Sequence, residues 1–241
     1  MTENTEYIQG DELLARVLAG DERESTVANE LLKEIGRGYP VRRLSTLLQS
    51  DNEKAIEDGV WIASELGAGA GPILSDLLPL YEYPNKRIKY YAVELALTAA
   101  TDQDGEVVGS AISRIADNEP PVRKMAFRLM ARANRSVLVA GTLFVKDAEL
   151  ADLLDWTLEV EGESRDDAEI ASRLRESGEL RRLFAAIAAA RIYRRNPHYL
   201  QLAASLGESD AQSLAASELV WLSKLKEQSR RRQERAERRS V

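Results

Sequence analysis

Val122-Arg123-x-x-Ala126-x-x-Leu129-Met130 is the clearest copy of a phrase that recurs along this chain. The same arrangement begins at Ile88, 34 residues earlier, and at Ala55, a further 33 residues earlier. Apolar or small residues three and four positions apart form one stripe along a helix. A period of this length indicates a solenoid, in which helix pairs stack because no single pair can bury its own apolar stripe. We therefore expect an all-α chain whose consecutive helical hairpins share one core.

The composition supports helices and excludes several classes of protein. Of the 241 residues 44% are apolar, only 6% are aromatic and 14 are glycine, which suits helices better than strands. The absence of cysteine excludes disulfides, thiolate metal sites and cysteine nucleophiles, and it fits a reducing compartment. Residues Met1 to Asp11 do not read as a signal peptide, and the longest apolar run, Leu183 to Ala190, is too short to span a bilayer. We expect a cytoplasmic protein without a membrane segment.

The chain is predicted to have four parts. Residues 1–40 form N-terminal capping helices, 41–145 form the repeats, 146–225 form further C-terminal helical repeats, and 226–241 form an exposed basic tail that is either helical or disordered. Within the third part, Glu161 to Asp167 is the best candidate for a mobile linker.

Each repeat is predicted to contain two helices. In the first repeat, the helix from Ala55 ends at Gly67, and Pro72 fits the first turn of a partner helix. Val41 to Leu48 is predicted as one helix that precedes this repeat. Ser209 to Gln212 has the spacing of a capping box at the start of a last long helix.

The third copy resembles a known repeat family. Asp117-x-x-x-x-Val122-Arg123-x-x-Ala126-x-x-Leu129 is similar to the first-helix phrase of HEAT repeats. The pair Ile88-Lys89 replaces Val-Arg in the second copy, and Ala55-Ile56 lacks the basic residue. The resemblance covers roughly residues 41 to 144, and it implies a right-handed α-α superhelix of helical hairpins. It also implies a scaffold that grips other proteins, although a fold by itself identifies no partner.

Three rows of side chains are predicted on the face opposite the core stripe. Because equivalent positions of adjacent repeats lie side by side, the offsets place residues of successive copies next to one another. The rows are Glu57, Tyr90 and Lys124; Trp61, Glu94 and Arg128; and Glu65, Thr98 and Arg132. We call these nine residues the graded face, because the first helix is acidic and the third is basic. The candidate protein-binding residues are Trp61, Glu65, Tyr90, Glu94, Lys124, Arg128 and Arg132.

Two interpretations of the graded face are open. In one, Glu94 pairs with Arg128 across the repeats, and the basic side chains along the third helix, Lys124, Arg128 and Arg132, form a solvated face that contributes little stability. In the other, the face docks a partner of opposite polarity, with aromatic and arginine side chains as anchors. Trp61 has an alternative of its own, since it could pack under the helix predicted over Val41 to Leu48.

The C-terminal segment has the opposite charge to the rest of the chain. Residues 224–241 hold 8 Lys or Arg against 3 Asp or Glu, whereas residues 1–85 hold 7 against 16. This tail is either a solvated chain end or a contact to nucleic acid or an acidic partner, through Arg230, Arg231, Arg232 and Arg235. The acidic bulk disfavours binding to a polyanion, and the tail lacks aromatic residues for base stacking. We therefore expect a protein partner and no general binding of nucleic acid, for which the tail is the one possible contact.

The sequence contains no catalytic or metal-binding motif that passes a spacing test. Asp102 to Gly105 resembles part of an EF-hand loop, but the first and twelfth positions would be Ala100 and Ala111, so a turn is expected. His198 is the single histidine and is expected to be structural. We predict no enzymatic activity, catalytic residue, metal or cofactor.

Three hypotheses for function follow. The first is a non-enzymatic, HEAT-like scaffold or adaptor that binds another protein, for which an immunity protein that neutralises a bacterial toxin is one instance. The alternative is a DNA-binding protein of the alkyl-base DNA glycosylase type. Some of those enzymes are built from HEAT-like helices and use tryptophans and an aspartate, for which Trp61, Trp156, Trp221 and Asp155 are available here. A third hypothesis is a subunit of a larger assembly.

Overall fold

The computed structural model describes residues 7–20, 25–207 and 209–239, with side chains described for all of these except 25 and 234–239. Every regular element in these ranges is helical, in agreement with the all-α prediction. The α-helices are α1 (Ile8–Ala19), α2 (Ser25–Gly36), α3 (Ser45–Leu48), α4 (Glu53–Leu66), α5 (Lys86–Ala99), α6 (Gly105–Ser113), α7 (Pro120–Arg132), α8 (Arg135–Thr142), α9 (Ala148–Glu161), α10 (Glu169–Arg173), α11 (Glu179–Arg191), α12 (His198–Ser205) and α13 (Asp210–Arg239). None of the helices in the described part of the chain is both long and apolar enough to cross a bilayer.

Two compact units divide the chain, one ending at Ala148 and the other beginning at Glu149. The four-part division expected from the sequence stays a prediction, and residues 1–6, 21–24, 240 and 241 of its outer parts lie outside the described residues.

In the first unit the helices that carry the repeated phrase lie side by side. Helix α4 packs on α5, and α5 packs on α7. The phrase begins in each with a side chain that is 0% exposed, namely Ala55, Ile88 and Val122. The apolar stripe read from the period is therefore buried in all three copies. The right-handed superhelix implied by the HEAT resemblance stays a proposal.

The return segment of the first repeat differs from the expected helix. A continuous 3₁₀ segment, Gly67–Glu82, replaces the α-helix predicted from Pro72, and it packs against α5 and α6. Pro72 and Pro79 both lie inside it. Proline lacks an N–H and clashes with the carbonyl four residues earlier in an α-helix, so two prolines seven residues apart disfavour α-helical hydrogen bonding. Leu74 and Leu77 still lie in the core, because a 3₁₀ segment also presents a buried side.

The helix predicted over Val41 to Leu48 is also corrected. A 3₁₀ turn, Val41–Leu44, leads into the single α-helical turn of α3. Pro40 precedes the 3₁₀ turn in an extended conformation, and the short segment makes few helical hydrogen bonds of its own. It is held by burial of Leu44, Leu47 and Leu48.

The second unit is built around α11. The apolar stretch Leu183 to Ala190 of α11 is buried throughout. Helix α11 packs on α10, α12 and α13. Arg191 at its end is 4% exposed and binds both carboxylate oxygens of Glu161, with nitrogen–oxygen distances of 2.9 and 2.8 Å. Arg195 donates to the carbonyls of Val160 and Glu161. These bonds tie down the start of the segment that the sequence suggested as a mobile linker.

The start of α13 has half of the expected capping box. The backbone N–H of Gln212 donates to the Ser209 hydroxyl at 3.1 Å, as predicted for an N-cap. The side-chain amide nitrogen of Gln212 donates to the carbonyl of Ala204, and among the described residues no bond from the Ser209 N–H to the Gln212 side chain is found. From this cap α13 continues as one helix to Arg239, which resolves the tail as a helical extension over its described length.

Candidate protein-binding face

Asparagine caps start the first two helices of the graded face in equivalent ways. Asn52 precedes α4 and accepts a hydrogen bond from the N–H of Lys54, and Asn85 precedes α5 and accepts one from the N–H of Arg87. The two asparagines are 33 residues apart, the same offset as the repeated phrase. Both helices therefore begin at the same point of the repeat, which keeps their outward positions in register.

The structure brings Tyr90, Glu94, Arg128 and Glu65 together. Arg128 on α7 lies near both the Tyr90 hydroxyl and the Glu94 carboxylate of α5, where its positive charge favours the ionised form of each group. Glu65 on α4 repels Glu94 from the other side. Neighbouring positions from all three rows thus interact across the three helices.

Burial changes the acidity of two groups in this cluster. The pKa of Glu94 is raised above its usual value, first by burial and then by the negative charge of Glu65, while Arg128 opposes the shift. The pKa of Tyr90 is raised by burial and then by Glu94. The centre of the graded face is therefore a half-buried polar cluster in which one cation is shared by a carboxylate and a phenol.

The remaining residues of the graded face occupy less uniform surroundings. Glu57 forms an ion pair with Arg87 at 2.9 Å and accepts a hydrogen bond from the side chain of Asn85 at 3.5 Å. It does not pair with Lys124 of its own row. Trp61, Lys124 and Arg132 are half-buried, and Thr98 is exposed. Trp61 thus retains surface that a partner can contact.

Sequence reasoning missed a polar bridge between repeats below this face. Lys89 on α5 binds both oxygens of Asp117, at 2.9 and 2.7 Å, and Asp117 also accepts from the N–H of Glu119. The Lys89 side chain is 13% exposed and that of Asp117 is 4% exposed. The signal was present in the sequence, because Lys89 stands where the third copy has Arg123 and Asp117 directly precedes that copy. A pairing between different repeats required the packing of α5 on α7.

The raised pKa of Glu94 predicts a pH dependence. A carboxyl whose pKa is higher in the folded protein binds protons more tightly there, so its ionisation lowers stability as pH rises above 4.5. We expect Glu94→Gln to gain stability relative to the native protein as pH is raised from about 4 to about 7. Urea unfolding of both proteins at several pH values measures this difference. If the stability of Glu94→Gln relative to the native protein stayed constant or fell with rising pH, the raised pKa of Glu94 would be contradicted.

Two of the four arginines predicted as tail contacts form ion pairs within the tail. Arg230 and Arg231 each bind Glu227, at 2.9 and 2.8 Å, and Arg232 is exposed. The backbone of Arg235 belongs to α13, but its side chain lies outside those described. The predicted contact residues therefore lie on one helix, with their charge partly balanced by the glutamate one turn earlier.

A cavity of about 730 Å3 lies in the second unit beside α9. Asp155 and Trp156, two residues of the glycosylase alternative, both line it. Trp156 is buried, its ring nitrogen donates to Glu169 at 3.0 Å, and the guanidinium of Arg173 lies 4.0 Å from its ring centre. This ring is not open for base stacking. The pKa of Asp155 is raised by burial and then by the carboxylates of Glu159 and Asp152, which would repel phosphate.

The two remaining sequence candidates are the stretch Asp102 to Gly105 and the single histidine, His198. Asp104 accepts from the N–H and the hydroxyl of Thr101, both at 2.8 Å, so the sequence stretch around Gly105 forms a turn. His198 is exposed beside Tyr199 at the start of α12. Within the described residues, no group of three or more His, Cys, Asp or Glu side chains is arranged to hold a metal ion.

Comparisons with known proteins do not assign this chain to a family. No family model matches it, and no curated protein matches it. Among solved structures, an engineered protein from the Northeast Structural Genomics Consortium is similar, with 13% sequence identity over 90% of this chain and 91% of that chain. The TM-score is 0.43, so this similarity supports no conclusion about function. Functional inference therefore depends on the surfaces of the chain itself.

Proposed function

We propose that this chain is a non-enzymatic scaffold of HEAT-like helical hairpins that binds another protein through the graded face. The observation that carries the proposal is the cluster of Tyr90, Glu94 and Arg128 between α5 and α7. Aromatic and arginine side chains that are already half-buried lose little rotamer entropy when a partner covers them, and they commonly dominate binding energy. Trp61 provides a further aromatic anchor next to this cluster.

The proposed partner has a charge pattern that is the reverse of the graded face. It places basic groups against Glu65 and Glu94 and acidic groups against Lys124 and Arg132. Such complementarity steers association and selects the orientation of the partner. A toxin neutralised in the cytoplasm is one partner of this kind, and an acidic protein of net charge −7 suits a basic toxin.

Affinity capture with matched baits tests the proposal. Lys124→Glu combined with Trp61→Ala is expected to weaken capture of a stoichiometric partner at least about tenfold, because it reverses one charge and removes one anchor. Lys146→Glu, an exposed charge reversal outside the graded face, is the control and is expected to capture the partner like the native bait. Mass spectrometry identifies the partner, and inhibition of its activity by this chain would identify an immunity protein.

Two results would refute this function. The native bait could return no stoichiometric partner from its native lysate, or both variants could capture the partner equally well. The second result would move the binding site away from the graded face.

A further inference from the structure

Helix α8 and the residues that follow it carry a group of exposed apolar side chains. Leu143 is 82% exposed, Phe144 is 48% exposed and Val139 is 46% exposed. We call these three residues the α8 patch. Single exposed apolar side chains are common on protein surfaces, whereas a group of neighbours indicates a surface that contacts another molecule. The α8 patch is therefore a candidate contact surface.

The packing of α8 places Val139 and Leu143 on its outward side. Helix α8 packs on α6, and a Cβ at Gly141 would lie 2.5 Å from a methyl carbon of Val108, so Gly141 faces α6. Val139 and Leu143 are each two residues from Gly141, which turns them by about 200° around the helix axis. Leu143 directly follows the last residue of α8 and keeps right-handed helical backbone angles, with φ −61° and ψ −18°. Both side chains therefore point away from α6.

The return segments of the repeats form a stack that ends with α8. Helix α6 packs on the segment Gly67–Glu82 and also on α8, so it has two return segments as neighbours. The first unit ends at Ala148, before another return helix is formed. In a solenoid each repeat buries apolar surface of its neighbour, and an end without a polar outer face leaves that surface exposed. The α8 patch occupies the place where a next return helix would pack.

We propose that the α8 patch of one molecule packs on the α8 patch of a second copy of this chain. Among the described residues the other exposed large apolar side chains are scattered, namely Ile8 on α1 and Val220 and Leu225 on α13. Helix α8 of another copy is therefore the described surface that best supplies apolar partners for this patch. The contact uses no residue of the graded face, and a dimer would carry two copies of that face.

A two-fold axis close to Gly141 makes this contact self-complementary. With the two α8 helices antiparallel, Val139 of each copy lies opposite Leu143 of the other, because both are two residues from the axis. The antiparallel direction also brings the positive end of each helix dipole beside the negative end of the other. Stable dimers bury at least about 1,200 Å² in total, and two helices of eight residues provide less. We therefore expect a weak dimer, with a dissociation constant of about 10 to 1,000 µM.

Sedimentation velocity on the full chain, at about 10 to 500 µM, tests this contact. Val139→Asp and Leu143→Asp should each raise the dissociation constant at least about tenfold, because each places a carboxylate in an apolar contact. Val220→Asp is the matched control, since Val220 is 56% exposed and lies outside the α8 patch, and it should associate like the native protein. The native dimer should persist at about 500 mM salt, because salt screens charges and not apolar contacts. Circular dichroism melts verify that the three variants fold.

Introduced thiols test the antiparallel arrangement, since the native chain contains no cysteine. A mixture of the Val139→Cys and Leu143→Cys proteins should form the mixed disulfide dimer at least about threefold faster than either variant forms its own, because only the mixed pair lies directly opposite. A tag on one variant distinguishes the mixed dimer by mass. Val220→Cys mixed with Leu143→Cys is the control and should form little mixed dimer.

Several results would overturn the proposal. They are a native protein that stays monomeric at about 500 µM, a Val220→Asp control that loses association as the patch variants do, and association that disappears at high salt. Equal rates for the mixed and the self disulfides would refute the antiparallel pairing. A monomeric native protein whose Leu143→Asp variant loses the partner found by affinity capture would assign the α8 patch to that partner instead.

Discussion

Lys89→Met is expected to lower the free energy of unfolding by about 2 kcal/mol, because it leaves the buried carboxylate of Asp117 without its main cation. Both oxygens of Asp117 bind the Lys89 ammonium, and the aspartate side chain is only 4% exposed. The loss is limited because the Glu119 N–H still donates to Asp117 and Arg114 lies 3.9 Å away. Urea unfolding measures the change.

Lys86→Met is the matched control for this prediction. Lys86 lies one turn earlier on α5 and pairs with Glu119 at 3.8 Å, but its side chain is 59% exposed. We expect this variant to change stability by less than about 0.5 kcal/mol. In the double variant Lys89→Met with Asp117→Asn, we expect at least about 1 kcal/mol of coupling between the two sites. Equal effects of Lys86→Met and Lys89→Met would show that burial of the bridge between repeats contributes nothing.

Gly109→Ala is expected to destabilise the first unit by about 2 kcal/mol, although alanine is normally the better helix former. A Cβ at this position would lie 2.7 Å from the carbonyl oxygen of Gly141 and 2.8 Å from the Cβ of Phe144. Neither atom is the end of a flexible side chain, so α6 and α8 would have to move apart. Thermal or urea unfolding measures the loss.

Gly36→Ala tests whether contact rather than glycine chemistry causes this loss. Gly36 ends α2, and a Cβ there would meet nothing within 4 Å. We expect Gly36→Ala to be neutral or to stabilise by up to about 1 kcal/mol, since it reduces the freedom of the unfolded chain. If Gly109→Ala also proved stabilising, the close approach of α6 to α8 would be wrong.

Much of the fold could be predicted from the period of the phrase. Ala55, Ile88 and Val122 are buried as predicted, because spacings of three and four residues define one face of a helix without reference to the rest of the protein. The return segment of the first repeat was predicted as an α-helix whose first turn contains Pro72, and it forms a 3₁₀ helix over Gly67–Glu82. Its leucines are compatible with either geometry, and the two prolines determine the choice.

The candidate site was predictable in part. The offset of the repeats correctly placed Glu94 beside Arg128, since equivalent positions of stacked helices are neighbours. The same rule did not reveal that Glu57 binds Arg87 or that Lys89 binds Asp117. Long side chains reach several neighbours, so their choice of partner depends on distances between helices and on burial.

The amino-acid sequence by itself determined that the chain is helical, which residues form its core stripe, and which helices of the graded face are acidic and basic. These properties follow from local spacing and residue type. The tertiary structure decided which charges are paired, how far each is buried, and that Asp152 and Asp155 line a cavity without forming an ion pair to any described side chain. Ion pairing and desolvation depend on separations of a few ångströms between residues that are distant in the chain, and only packing sets those separations.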